Sequence, residues 1–267
     1  DSLMGNREIS YEDKALIDEA LLIAKGDPER VLIEATKVLS ALSGLAAVAT
    51  TSPGNDARIH KIKFISVSRY ISMLILITST GIVKNKLFHC DYVLTTEILN
   101  VFEIALNEKL SGFPLKDITP AFIQTTAISL SDLALLLPNV LAALMEAAKE
   151  AAKTFFALEG QMNLLFLNED FDILNAKNAI RFLLSGDEIT ALLLSRPNKT
   201  AVLIGGEIGN PLLSNISIVS ARYMISDQVA GSLAIIGPTR MDYAKATTVI
   251  KYTSDSVSDI ITELINI

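Results

Sequence analysis

The chain has 267 residues, of which 50% are hydrophobic and 20% are charged, so it holds enough apolar material for one or two packed domains. Its formal net charge is -7 and its sequence pI is near 5.0. The densest basic cluster reads as the solvated faces of strands, which excludes the basic patch that a nucleic-acid-binding domain carries. That cluster contains Lys61, Lys63, Arg69, Lys84 and Lys86.

A single cysteine, Cys90, excludes an internal disulfide framework and fits a reducing, cytoplasmic compartment. No signal peptide is evident at the polar N-terminus. The most apolar segment, residues 133–145, is shorter than the ~20 residues of a membrane span and contains Pro138. Because the first residue is Asp1, we expect the sequence to begin inside a longer protein.

Two helices are predicted first. Ser10 and Asp13 form a capping pattern for a helix over residues 10–24. Asp27 and Pro28 have the N-cap and first-turn chemistry of a second helix, which is followed by a strand over residues 46–50.

A β-rich block follows. Residues 61–67 alternate partly, residues 71–77 form an apolar run typical of a central strand, and residues 82–88 place lysines on one face. Gly81 is expected in the hairpin loop between the last two strands.

The central part of the chain is predicted to be mostly helical. A helix spans residues 95–110, the pattern over 117–130 is ambiguous, and a long helical segment over 131–156 is kinked or restarted at Pro138. Its apolar face is either the core of a subdomain or a dimer face, and both can hold. Candidate contacts on that face are Leu141, Leu144, Met145, Phe155 and Phe156.

The C-terminal third returns to strands. A strand is predicted over residues 159–166, then helices from Phe171, with Asp187 as a cap, and strands over 201–204, 217–224 and 232–236 before a terminal helix. Helical and strand runs are segregated, which indicates an α+β fold with an antiparallel sheet, interrupted by an inserted, mostly helical subdomain.

One stretch, residues 231–243, combines a buried strand with a sharp turn and a helix start. Gly237 and Pro238 are predicted to break the strand, and Thr239 with Asp242 to cap the helix. Arg240 is a candidate for anion binding at the helix start, with a local carboxylate or a partner subunit as the alternatives. Capping alone does not require Arg240, Met241 and Tyr243 together.

Catalytic and metal sites are not indicated. His89 and Cys90 are adjacent on a strand and so point to opposite faces, and no recurring metal-ligand spacing exists. The glycines over residues 205–209 lack the Lys-Ser/Thr of a phosphate loop and are best explained as a turn. We therefore expect no enzyme activity, no cofactor and no metal.

The run Gly237-Pro-Thr-Arg-Met-Asp-Tyr243 resembles the signature of the HrcA family of heat-inducible transcription repressors. Supporting similarities lie along the whole chain in order. They are Asp1-Ser-Leu-Met4, Leu110-Ser-Gly112, Gly160-Gln-Met-Asn-Leu-Leu165, Ile204-Gly-Gly-Glu207, Ser217-Ile-Val219 and Tyr223. Ile208 departs from the family, which tends to have Asn there.

The resemblance implies three parts: a winged helix-turn-helix domain, a GAF-like domain, and a dimerising subdomain inserted in it. We expect the first part to lie outside this sequence. Residues 1–56 would be the linker and first GAF-like helix, 57–91 and 167–267 the GAF-like domain, and 92–166 the dimerising insert.

The family's function implies a homodimer that negatively regulates chaperone operons by binding an inverted-repeat operator through the winged-helix domain, with the chaperonin as a further partner and no membrane. Arg240, Met241, Asp242 and Tyr243 are then expected to contact the partner subunit. The alternative is a GAF-like small-molecule sensor, which an open cavity would support and a packed one would not.

Overall fold

The computed structural model describes residues 8–52, 57–129, 137–166, 173–196, 198–225 and 228–265. The helices are α1 (Tyr11–Ile23), α2 (Pro28–Ser43), α3 (Thr96–Leu110), α4 (Pro120–Ser129), α5 (Pro138–Ala151), α6 (Ile173–Leu184), α7 (Asp187–Leu194) and α8 (Tyr243–Ile265). The strands are β1 (Ala46–Thr51), β2 (Ile59–Ser66), β3 (Ile71–Thr78), β4 (Val83–His89), β5 (Phe156–Glu159), β6 (Thr200–Ile204), β7 (Ile216–Ile225) and β8 (Gln228–Pro238).

The chain divides into two compact units. Unit 1 spans Asp1–Thr51 and Phe155–Ile267, and unit 2 spans Ser52–Thr154. The predicted division grouped residues 57–91 with the C-terminal region. The structure groups them with α3 to α5 instead, because β2, β3 and β4 form a sheet of their own. Unit 2 is therefore mixed rather than mostly helical.

The sheet of unit 1 has the order β5-β1-β8-β7-β6, and every neighbouring pair is antiparallel. The prediction of an α+β fold with an antiparallel sheet is confirmed. Alternation along β8 sends Ala234 and Ile236 to a cluster with α6 and α7. It sends Leu233 and Ile235 to the opposite face, where α2 and α8 pack. All four side chains are fully buried, so β8 is covered on both faces.

The first two helices start where local chemistry predicts. The Ser10 hydroxyl accepts a hydrogen bond from the Asp13 amide at 3.0 Å. The Asp27 carboxylate accepts from the Glu29 amide at 3.0 Å, with Pro28 in the first turn. These caps satisfy amides that have no partner inside the helix.

Unit 2 is inserted into the connection between two neighbouring strands. The chain leaves β1 at Thr51 and returns at Phe155, just before β5. The Thr51 amide donates to the Phe155 carbonyl at 3.1 Å, and the Phe155 amide donates to the Thr51 hydroxyl at 2.9 Å. The two ends of the insertion therefore lie side by side in the sheet of unit 1.

The sheet of unit 2 has the order β2-β3-β4 and is antiparallel. Helix α3 covers the outer edge of β2 by side-chain hydrogen bonds. Asn107 accepts from the Ile62 amide at 2.8 Å and donates to the Ile62 carbonyl at 2.7 Å, and Glu103 accepts from the Phe64 amide. These bonds occupy backbone groups that an edge strand otherwise offers to another chain.

Two predicted elements are wrong in their extent. The helix predicted to reach Phe156 ends at Ala151 in α5, and Phe156 opens β5; residues 130–136 lie outside the described residues. The strand predicted over residues 159–166 is a 3-10 helix, Gln161–Leu165. Gly160 adopts φ 67°, which ends β5 and turns the chain.

Gly160 is also a point of close approach between α2 and this 3-10 helix. The Ser40 hydroxyl donates to the Leu45 carbonyl at 2.8 Å, and the Asn163 amide group lies 3.4 Å from both oxygens. A Cβ at position 160 would lie 1.9 Å from the Ser40 hydroxyl and 2.6 Å from the Leu45 carbonyl oxygen. Only glycine fits both the backbone angle and the space.

We expect Gly160→Ala to lower the free energy of unfolding by about 2–4 kcal/mol, because it adds both backbone strain and overpacking. Urea denaturation followed by circular dichroism measures the change. Gly206→Ala is the matched control, since a Cβ there meets no atom within 4 Å. Equal stability of the two variants would contradict the packing role of Gly160.

Candidate functional site

The turn that carries the sequence signature joins the central strand of unit 1 to its longest helix. Strand β8 continues through Gly237 and Pro238, so the predicted break at these residues is wrong. The predicted cap at Thr239 is wrong as well. The Asp242 carboxylate accepts from the Lys245 amide at 2.9 Å, and Asp242 therefore caps α8.

Tyr243 fixes the geometry of this turn. Its hydroxyl donates to the Thr239 carbonyl at 2.7 Å and lies 2.7 Å from the Ser217 hydroxyl of β7. The Thr239 amide in turn donates to the Asn215 carbonyl at 3.2 Å. The tyrosine is thus explained within one protomer: it ties the first residue of α8 to the strand ends beneath it.

Met241 has an equally local role. A Cβ at Gly237 would lie 2.7 Å from a methyl group of Leu45 and 3.2 Å from the Met241 sulfur. The glycine therefore leaves room for two apolar side chains over the end of β8. The turn is packed, and its shape depends on the absence of a side chain at this position.

Arg240 and Asp242 are exposed, whereas Met241 and Tyr243 are half-buried. The turn's packing and capping, described above, use Tyr243, Met241 and Asp242 and do not require a guanidinium. Since the Asp242 carboxylate already occupies the first turn of α8, this helix start is less suited to an external anion. The structure brings the four signature candidates together, with Arg240 outermost.

The glycine-rich loop after β6 lies beside this turn and is built as two 3-10 helices, Gly205–Ile208 and Pro211–Leu213. The Glu207 carboxylate accepts from the Ile204 amide at 2.8 Å. A Cβ at Gly205, where φ is 54°, would lie 2.6 Å from the Ser214 carbonyl oxygen and 3.9 Å from the Thr239 methyl group. The loop is a packed turn with a carboxylate at its centre, which does not suit a phosphate.

The sheet face under α6 and α7 is filled by side chains of the protein. Ile218 and Ile236 of the strands meet Leu183 of α6 and Ile189 of α7, and all four are fully buried. The cluster continues with Ala176, Ala179, Leu193, Leu213 and Ile216. This packing leaves no open chamber at the centre of that face.

The opposite face, under α8, contains a buried tyrosine. Tyr223 of β7 is fully buried and lies against Gly231, its register partner on β8. A Cβ at Gly231 would lie 2.4 Å from the Tyr223 hydroxyl and 2.1 Å from the Thr50 carbonyl oxygen. Burial raises the pKa of the Tyr223 hydroxyl above its usual value, so the group stays neutral.

The candidate contacts predicted on the long helix separate into different environments. Leu141 and Leu144 are 1% and 0% exposed and form the core of unit 2. Met145 is half-buried on α5. Phe155 and Phe156 belong to unit 1, and Phe156 packs against the cluster under α6 and α7. The five residues are thus divided between the two units.

Sequence reasoning missed the outer face of the unit 2 sheet. The inner face buries Ile62, Leu74, Leu76 and Phe88 beneath the helices. The outer face also carries apolar side chains, and three of them are exposed. Ile65, Ile71 and Leu87 are 47%, 36% and 64% exposed. Its apolar members are Ile65, Ile71, Met73, Ile75, Ile77, Val83 and Leu87. We call these seven residues the outer sheet face.

Two lysines share this face with the apolar residues. Lys61 and Lys63 lie four and two residues before Ile65 in β2 and pair with Ile77 and Ile75 of β3, so their side chains are on the same face as Ile65. On the inner face, Lys86 contacts the Glu150 carboxylate of α5, and this pairing raises the pKa of Lys86 and lowers that of Glu150. The sequence of β3 could have predicted the outer sheet face, because large apolar residues occupy both faces of that strand.

No metal site or membrane span is found in the part of the chain that the structure describes. Cys90 is buried while the His89 side chain is exposed, and no group of three or more His, Cys, Asp or Glu side chains is placed to hold an ion there. None of the described helices combines the length and apolar character that crossing a bilayer requires.

Comparisons with known proteins agree with the architecture. The heat-inducible transcription repressor HrcA of Clostridioides difficile is 28% identical over 257 residues, which cover 95% of this chain and 76% of that protein. The repressor of the same name from Acetivibrio thermocellus is 24% identical over 268 residues, covering 99% and 76%. A crystal structure of a hypothetical protein matches with a TM-score of 0.61 at 20% identity, covering 94% of this chain and 79% of that one, and supports the fold.

The family model for the HrcA protein C terminal domain matches residues 29–247, which include both units and the turn at Gly237 to Tyr243. This match covers well over half of the chain. The chain therefore belongs to the HrcA C-terminal domain family.

Proposed function

We propose that this chain is the dimerisation and regulatory region of a heat-inducible transcription repressor. Relatives that are named heat-inducible transcription repressors align with almost the whole chain. The observation that carries the dimeric part is the outer sheet face, where seven apolar side chains lie together on three neighbouring strands and three of them are exposed. Contiguous exposed apolar patches of this kind mark association sites.

The partner for this surface is a second copy of the chain. Two copies of a chain most often associate about a two-fold axis, with the same surface of each copy in the interface. Helix α3 already occupies the β2 edge through Asn107 and Glu103, and Asn139 donates to the His89 carbonyl at the β4 end. These contacts favour association through the sheet face rather than through its edges.

The role of the dimer is to set the spacing of two DNA-binding heads, which the resemblance places before Asp1. A two-fold dimer matches an inverted-repeat operator, since half-site spacing reflects the distance between the heads. We propose that chaperone operons are the targets and that the chaperonin maintains activity. Heat shifts the population of competent dimers, without any enzymatic step.

The sensor alternative receives less support. A small-molecule pocket needs an enclosed chamber, and the sheet face under α6 and α7 is filled by Ile218, Ile236, Leu183 and Ile189. The loop at Gly205 is closed by its own Glu207. The repressor function is therefore the better explanation of these residues.

We expect Leu87→Glu to weaken self-association about 30-fold, because it places a charge on the most exposed apolar residue of the outer sheet face. Size-exclusion chromatography with light scattering on the 267-residue chain measures the mass, which should be twice 28.9 kDa for the unaltered chain. A strict monomer at micromolar concentration would contradict the dimer.

Leu212→Glu is the control for this variant. Leu212 is 59% exposed, close to the 64% of Leu87, but it lies on a 3-10 helix of unit 1. It should leave the mass unchanged. A protein extended by the DNA-binding head should shift an inverted-repeat operator in a gel, and Leu87→Glu should reduce that shift. Failure of the extended protein to bind any inverted repeat would remove the repressor function.

We propose that Arg240 contacts the partner subunit as well, so that Arg240→Ala weakens dimerisation or repression about 10-fold. We expect the melting temperature to change by no more than about 2 °C, because the side chain is exposed. Analytical ultracentrifugation gives the dimer constant. Lys251→Ala, an exposed substitution further along α8, is the control. An unchanged dimer constant together with intact repression would exclude Arg240 from the interface.

A further inference from the structure

The hydroxyl group of Tyr223 is fully buried and forms no hydrogen bond within the described part of the chain. Buried hydroxyls in folded proteins are nearly always paired, because an unpaired one loses its water without compensation. Tyr223 is also central: β7 lies between β8 and β6, and α8 packs on it. The unpaired hydroxyl therefore lowers the free energy of unfolding of unit 1.

The surrounding hydroxyls are committed elsewhere. Ser232 and Thr50 lie on the opposite face of the sheet, where Ser232 donates to the Ala221 carbonyl and Thr50 pairs with Thr190. On the side of α8, Ser254 donates to the Arg222 carbonyl at 3.3 Å. The Tyr223 hydroxyl therefore has no hydrogen-bond partner among the described residues. Its ring lies over Gly231, because any side chain at position 231 would overlap the ring.

The same region is where α8 attaches to the sheet. Ser258 of α8 accepts from the Met224 amide at 3.0 Å, next to Tyr223, and Thr253 and Ser254 are fully buried. Val257, between Ser254 and Ser258, is fully buried as well. The unpaired hydroxyl therefore lies beneath the part of α8 that these hydrogen bonds and buried side chains attach to β7.

Helix α8 also holds α1. The Tyr252 hydroxyl contacts both carboxylate oxygens of Asp18 at 3.0 and 2.9 Å, and Lys25 pairs with Glu263 at 2.9 Å. Release of α8 from β7 would loosen these contacts with α1. A change in the sheet is thereby passed to the first helix of the described chain.

We propose that Tyr223 is a regulatory residue that lowers the temperature at which α8 detaches from the sheet. This inference rests on the proposed function, a repressor that heat inactivates, and it names the device within unit 1. The unpaired hydroxyl makes the native state less stable than the same fold with phenylalanine. The protein therefore releases α8, and with it α1, at a lower temperature.

The test is Tyr223→Phe, which removes the hydroxyl and keeps the ring over Gly231. We expect the melting temperature to rise by about 3–6 °C, and the amides of α8 to exchange at least 10-fold more slowly near the midpoint. Circular dichroism and hydrogen exchange of the 267-residue chain measure both quantities. No DNA binding is needed, so these readouts do not depend on the repressor function.

Two tyrosines of unit 1 serve as matched controls. Tyr11 is 86% exposed, and Tyr11→Phe should change neither quantity. Tyr243 donates to the Thr239 carbonyl, and Tyr243→Phe should lower the melting temperature because a bond is lost. A Tyr223→Phe variant that melts at the same or a lower temperature, or whose α8 exchange is unchanged, overturns the proposal.

The regulatory part is tested in the protein extended by its DNA-binding head. Tyr223→Phe should raise the temperature of operator release by the same few degrees as the melting temperature. Slower exchange and a higher melting temperature with an unchanged release temperature would overturn the regulatory role and leave the repressor function intact. Absence of operator binding in both proteins would defeat the proposed function and the regulatory role together, whereas the melting and exchange data would still decide whether the hydroxyl loosens α8.

Discussion

The pairing of β8 with β1 on one side and β7 on the other is the constraint on which unit 1 depends. Between its ends the strand carries four fully buried apolar side chains, and at Gly231 and Gly237 it carries none. The glycines admit the ring of Tyr223 at one end and the side chains of Leu45 and Met241 at the other. Both glycines lie on the face covered by α2 and α8, and their lack of a side chain is what makes room for these three residues.

Features that depend on neighbouring residues were predictable from the sequence. The caps at Ser10 and Asp27, the hairpin at Gly81 and most strands follow from local propensity and turn chemistry. The need for glycine at position 160 was not predictable, because it arises from contact with Ser40, which is distant in sequence. Ser40 and Asn163, which meet beside Gly160, are 123 residues apart. The start of α8 was misplaced because Thr239 and Asp242 both offer capping oxygens, and only the path of β8 decides between them.

The candidate surfaces illustrate a second limit. The apolar face of α5 and the two apolar faces of β3 look alike in sequence, but Leu144 is fully buried whereas Leu87, across from β3, is mostly exposed. Periodicity reports that a face is apolar and does not report what covers it. Among these faces, exposed apolar side chains lie on the sheet of unit 2, and the signature turn is a packed connection with an exposed Arg240.

The insertion of unit 2 between β1 and β5 has a mechanical consequence. Thr51 and Phe155, where the chain leaves and re-enters unit 1, are hydrogen-bonded to each other. A force applied to unit 2 is therefore transmitted to unit 1 at a single place, the adjacent ends of β1 and β5. Strand β1 lies directly beside β8, so that load reaches the central strand within one step of the sheet.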